Sequence, residues 1–143
     1  MTLETHRQWL VRDRPIGRAL RAEDFGLVKN LIGRPADGQV LVQTQFLSFD
    51  PAQKSWMENI ANYKAPVEIG SVMPGSGAGC VLESRHPDFV QGDLVHGPLG
   101  WQERAVVDGS ELAKTPQGVP ITAALGVLGA TGKTAYLDRK SVV

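Results

Sequence analysis

The 143 residues contain one cysteine, Cys80. A lone thiol excludes an internal disulfide and any multi-cysteine zinc site. Charge of one sign is also missing, since 15 Lys and Arg stand against 15 Asp and Glu. A general polyanion binder shows a basic excess, so nucleic acid is not an expected partner. No apolar run approaches the roughly 18–20 residues of a membrane span. Met1 to Arg14 mixes charges with Trp9 and Leu10 and holds no signal-peptide core. Together these absences predict a cytoplasmic chain with no membrane segment and no metal. Apolar residues at 42% and charged residues at 21% match a soluble globular domain and exclude disorder. The length corresponds to one domain with a real core.

Sixteen glycines and nine prolines are spread along the chain. That texture predicts short strands joined by tight turns. There is no internal repeat. Strands are expected at His6–Val11, Asp24–Lys29, Gln39–Phe49, Val67–Ile69, Gly77–Ser84, Leu94–His96 and Gln102–Val107. The clearest is Gln39–Phe49, where Val40 and Val42 alternate with Leu41 and Gln43. Asp37-Gly38, His86-Pro87, Gln91-Gly-Asp93, Gly97-Pro98 and Asp108-Gly109 supply turns between them. Such spacing predicts a small barrel or sandwich.

Asp50-Pro-Ala-Gln53 reads as a helix start. Asp50 would accept a bond from a first-turn amide, Pro51 loses nothing at that position, and Gln53 completes a capping-box pattern. This helix should end near Trp56 or Met57. After Pro120 the texture becomes helical, over Ile121–Leu128 and again from Gly129 to Leu137. The last six residues, Asp138–Val143, do not continue the pattern. They match the translation of a common sequencing adapter and are expected to be non-native, with the protein running on past Leu137. The expected organisation is therefore a β-rich unit over 1–120, the start of a helical unit over 121–137 and a non-native tail over 138–143.

Two glycine-rich segments invite a nucleotide-binding reading. Gly129-Ala-Thr-Gly-Lys-Thr134 resembles the end of a phosphate-binding loop, but that loop requires glycine at 127, where Val127 stands, and a preceding strand. Gly75-Ser-Gly-Ala-Gly79 lacks the dinucleotide spacing and precedes a β-like run, so it is expected to be a turn or bulge. His6, His86 and His96 fit no metal-ligand spacing. Trp56, Met57 and Tyr63 could line an apolar cleft with one phenol donor, or simply pack against the barrel.

Several segments taken in order carry a family resemblance. They are Phe46-Leu-Ser-Phe-Asp-Pro-Ala-Gln53 with Trp56-Met57, Tyr63 through Gly70, Val81–Phe89, Gly92-Asp-Leu-Val95, Gly100-Trp-Gln102 and Ala124–Tyr136. The set resembles the N-terminal half of the zinc-independent medium-chain dehydrogenase/reductases. The branch it is most similar to is the NADPH-dependent alkenal/enone reductases, which include prostaglandin and curcumin reductases. The resemblance implies a mainly β, GroES-like β-barrel with a short helix, and a C-terminal helical segment leading into a Rossmann domain absent from these residues. It implies NADPH as cofactor and reduction of the C=C bond of α,β-unsaturated carbonyls. It places Pro51, Ala52, Leu128 and Thr131 on the cofactor side, and Tyr63 and Met57 on the substrate side. No metal is implied, because Met73-Pro-Gly-Ser-Gly77 stands where zinc-dependent relatives carry ligands. Lys133 departs from the leucine usual at its position. The partners implied are a small enone or alkenal and a second copy of the full-length protein. The 143 residues alone are expected to be inactive, and the catalytic residues beyond them are not readable here. A free-standing β-barrel binding module without catalysis is the alternative, against which the apolar Ile121–Leu137 segment speaks.

Overall fold

The computed structural model describes residues 4–58 and 65–140. Strands β1 (Thr5–Val11) and β2 (Phe25–Leu31) form an antiparallel pair, in register from Thr5 opposite Leu31 to Val11 opposite Phe25. The loop between them is fixed by Asp24, which is 1% exposed. Its carboxylate accepts from both Arg18 guanidinium nitrogens, at 2.9 and 2.6 Å, and from the Arg21 amide at 2.8 Å. These charge-assisted bonds satisfy a charge that burial would otherwise penalise.

The second sheet contains β3 (Gln39–Leu47), β4 (Gly77–Ser84), β5 (Leu94–Gly97), β6 (Arg104–Asp108) and β7 (Ala113–Lys114). All pairs are antiparallel, in the order β6-β3-β4-β5-β7. Gly38, at φ +80°, makes the turn into β3, a conformation glycine adopts at no steric cost. Val40 and Val42 project from one face of β3 into a core with Val81, Val95, Leu99 and Val107, as the two-residue strand period requires. The register slips between Thr44 and Phe46 opposite Ala78–Gly79. The extra residue is Gln45 on β3, so the irregularity faces the glycine-rich segment, whose Gly77–Gly79 run as strand instead of forming the expected turn or bulge. A Cβ on Gly79 would lie 2.0 Å from the Gln43 carbonyl oxygen, so only glycine admits this approach.

The mainly β reading holds, with the sheets left open. Two sheets, of two and five strands, are stitched together by bridges at Gln8–Gln102 and Leu10–Val72. The Trp9 amide donates to the Trp101 carbonyl at 2.8 Å, and the Met73 amide donates to the Trp9 carbonyl at 2.9 Å. A second core sits beneath this seam: Val11, Met57, Val67 and Met73, with Phe25, Trp56 and Trp101 against it.

Some boundaries differ from expectation. Val67–Ile69 is not a strand, because the Val67 amide bonds the Trp56 carbonyl and the next turn closes on Val11. Gln102 lies outside β6 and pairs alone with Gln8. β3 stops at Leu47, short of Phe49. β7 carries no sequence signal and forms because Ala113 and Lys114 meet His96 and Val95. Instead of a helix over Ile121–Leu128 there is one 3-10 turn, Ile121–Ala124. Gly126 and Gly129 follow it, and glycine lowers helix propensity by about 1 kcal/mol relative to alanine. Helix α2 (Ala130–Lys140) begins where expected but continues through Asp138, past the predicted stop.

Candidate functional site

Helix α1 (Ala52–Met57) starts and ends as the sequence indicates. Its cap is built differently. The Asp50 carboxylate accepts from the Ser48 hydroxyl at 2.9 Å and leaves the helix amides alone. Gln53, 5% exposed, performs the other half of the capping box: its Oε1 accepts from the Asp50 amide at 2.9 Å. Its Nε2 donates to the carbonyls of Ser48, at 3.2 Å, and Pro74, at 3.3 Å. One buried amide thereby ties the end of β3, the start of α1 and the approach to β4 together. Gly75 leaves room for it, since a Cβ there would stand 2.6 Å from Nε2. At the other end of α1, Arg14 donates to the carbonyls of Met57 and Val67, both at 2.9 Å.

So fixed, the Ser48–Trp56 segment forms one wall of a cleft of about 880 Å³. The opposite wall is the 3-10 turn and the first turns of α2, and β5 contributes the floor with His96 and Gly97. This size is ordinary for a small-molecule site. The walls carry small residues, with Ala52 and Ser76 facing Gly129, Ala130 and Thr131. Four charged or titratable side chains line it: Asp50, His96, Lys133 and Asp138. His96 Nδ1 is buried without a hydrogen-bond partner among the described residues. Burial first, and the Lys133 ammonium second, hold its imidazole below the usual histidine range.

The structure brings together two of the expected cofactor-side residues, since Ala52 and Thr131 line the same cleft from opposite walls. Pro51, exposed, precedes Ala52 at the start of α1. Leu128, 40% exposed, lies on the segment entering α2 and is not among the lining residues. Met57, expected on the substrate side, is absent from the cleft lining. It is 1% exposed and packs among Val11, Val67 and Met73 in the second core. Its neighbour Trp56 takes the lining position. Tyr63 lies outside the described residues. Sequence reasoning missed His96 and Lys133 as cleft-lining residues, because nothing local marks them and they line one cleft from elements distant in sequence.

The phosphate-loop look of Gly129–Thr134 dissolves in the structure, where a 3-10 turn and not a strand precedes α2. Among the described residues no three His, Cys, Asp or Glu side chains gather as a metal would need. No helix among them is long and apolar enough to cross a membrane. A second groove, of about 320 Å³ between Trp9, Leu27, Phe46 and Trp101, holds none of the expected site residues.

Residues 7–115 match the family described as the N-terminal domain of oxidoreductase. The chain is 39% identical over 137 residues to the NADPH-dependent curcumin reductase of Escherichia coli, covering 94% of this chain and 39% of that protein. It is 39% identical over 100 residues to the NADP(+)-dependent 2-alkenal reductase of Nicotiana tabacum, covering 68% of this chain and 29% of the relative. The crystal structure of CurA from Vibrio vulnificus in complex with NADPH superposes with a TM-score of 0.83 at 38% identity, over 92% of this chain and 39% of that one. The chain thus spans about two-fifths of the length of the curcumin reductase and CurA chains. With its GroES-like, mainly β architecture, it belongs to the N-terminal domain family of the medium-chain dehydrogenase/reductase type of oxidoreductases.

Proposed function

We propose that this chain forms the substrate-side domain of an NADPH-dependent reductase acting on the C=C bond of α,β-unsaturated carbonyls. The observation that carries the reading is the cleft itself, whose opposed walls of small residues, Ala52 on one side and Gly129, Ala130 and Thr131 on the other, leave room for a flat ring. Pro51 and Ala52 would approach the cofactor from α1, and Leu128 and Thr131 from the α2 side. Bound NADPH would supply a hydride to the β-carbon. The chain's own part is positional. Gln53 and Arg14 hold α1 at both ends, so Ala52 and Trp56 stay in place against a ligand. Trp56 gives the carbon skeleton an apolar surface, and such walls exclude water from the reacting carbons. Tyr63 would offer its phenol to the carbonyl oxygen. Met57 enters the proposal as the anchor of α1 in the core and not as a contact.

Orientation of the cofactor requires a second domain. The exposed apolar residues Val127, Leu128, Tyr136 and Leu137 support a protein surface packed there. The 143-residue chain alone should neither turn over nor bind NADPH tightly, and a homodimer of the full-length protein belongs to the same reading. The test is NADPH oxidation by a chimaera joining this chain to the remaining part of the E. coli curcumin reductase, assayed with alkenals, enones and quinones. Enone-dependent oxidation by the chimaera and none by the chain is expected. A folded, NADPH-binding chimaera that reduces only quinones overturns the substrate class. Micromolar NADPH affinity of the chain alone overturns the division of labour.

A further inference from the structure

The function just described gives the carbonyl oxygen one donor, the Tyr63 phenol, although such an oxygen has two lone pairs. Several polar groups of the cleft cannot serve it. Asp50 and Asp138 bring carboxylates. Ser48 donates its hydroxyl proton to Asp50, and Thr134 donates its own to the Ala130 carbonyl. Lys133 stands exposed to water on α2. His96 differs. It is half-buried on β5 and lines the same cleft. Its Nδ1 is enclosed and has no partner among the described residues, whereas Nε2 is not enclosed in this way. Burial and the Lys133 ammonium keep the ring neutral at neutral pH, so one proton sits on one of the two nitrogens. A buried N–H left without an acceptor is rarer in proteins than a buried acceptor left without a donor. The proton therefore belongs on Nε2, the nitrogen left to the cleft.

We propose that His96 is a carbonyl-binding residue of this cleft: as the Nε2–H tautomer it donates a hydrogen bond to the carbonyl oxygen of the bound substrate. The word substrate rests on the reductase reading; the tautomer and the binding of a ketone do not. The ring is held from the cleft floor by a strand fixed on both sides, with His96 opposite Ala78 of β4 and Ala113 of β7. During reduction the β-carbon accepts hydride and electron density moves to the carbonyl oxygen, where a donor fixed beforehand counts most. His96 keeps its proton throughout. A neutral donor to a neutral carbonyl also suits a cleft that already holds two carboxylates.

Long-range proton–nitrogen NMR of the 143-residue chain reads the tautomer directly at neutral pH. The Nε2–H form is expected, and an Nδ1–H ring overturns the proposal. Benzylacetone, a ketone lacking the C=C bond to which the Cys80 thiol could add, is then titrated to its solubility limit. The His96 Nε2 resonance should move while Nδ1 stays, and an unmoved Nε2 overturns the proposal. In the chimaera with the E. coli curcumin reductase, His96→Phe should lower enone kcat/KM about a hundredfold, mostly in kcat, as loss of one oxyanion donor does. His96→Gln keeps an N–H and should recover most of that loss. A His96→Phe chimaera that folds and reduces enones at the parent rate overturns the proposal and leaves the reductase reading intact. If Nε2 responds to the ketone while no chimaera reduces an enone, the reductase reading fails and the carbonyl site stands.

Discussion

Truncating Met57 distinguishes a core residue from a ligand contact. The side chain is 1% exposed and fills the second core between α1, β1 and the Val67–Met73 segment. Met57→Ala removes that volume, and buried Met-to-Ala changes cost about 2–5 kcal/mol. Because Arg14 still pins the end of α1 through main-chain carbonyls, collapse into the cavity is restricted, and we expect about 3 kcal/mol. For a domain of this length that lowers Tm by about 10 °C. Met57→Leu nearly conserves volume and should cost below about 1.5 kcal/mol. Trp56 and Trp101 pack against the same cluster, so urea unfolding followed by tryptophan fluorescence reads the site directly. An unchanged urea midpoint for Met57→Ala would refute the packing argument. So would loss of enone-dependent NADPH oxidation by a Met57→Leu chimaera at unchanged stability, because that pattern belongs to a contact residue.

Gly79→Ala should abolish the folded state, because its Cβ would meet the Gln43 carbonyl oxygen at 2.0 Å and neither backbone can yield without opening β3 from β4; a well-dispersed amide spectrum would contradict this. His6 is 3% exposed, and burial before all else lowers its pKa. The folded state therefore prefers neutral His6, so this stabilisation is complete above the ordinary value of 6.5 and is lost as pH falls through the folded value. His6→Gln should flatten the decline in unfolding free energy below pH 6.5, measured by urea titration at stepped pH. Asp24 is held below the usual carboxylate range chiefly by Arg18. Its contribution is present above the ordinary 3.8 and is lost as pH falls through its folded value, so Asp24→Asn should be less stable at neutral pH and show a shallower acid limb in the same titration.

Local chemistry was legible wherever one residue type has few alternatives. Alternating Val40 and Val42 set the face of β3, Gly38 set its turn, and Pro51 with Gln53 set the start of α1. The ordered motifs placed the chain in its family, because several weak signals in fixed order are specific where each alone is not. Position in space was not legible. β7 exists only because β5 offers an open edge. Val67 is drawn out of any ladder by the helix carbonyl it bonds. Met57 and Trp56 are adjacent and both apolar, and hydrophobicity cannot tell which one turns inward. The direction in which α1 docks decides that, and docking is set by Gln53 and Arg14 through partners 21 and 43 residues away. His96 and Lys133 likewise line one cleft from elements distant in sequence. Short-range propensity fixes elements, whereas a cleft is made by contacts between elements distant in sequence. The amino acids of this chain thus determined most of its strands, its turns and its family. Only the tertiary arrangement, which brings α1, β5 and the start of α2 to one cavity, decided which side chains share the cleft.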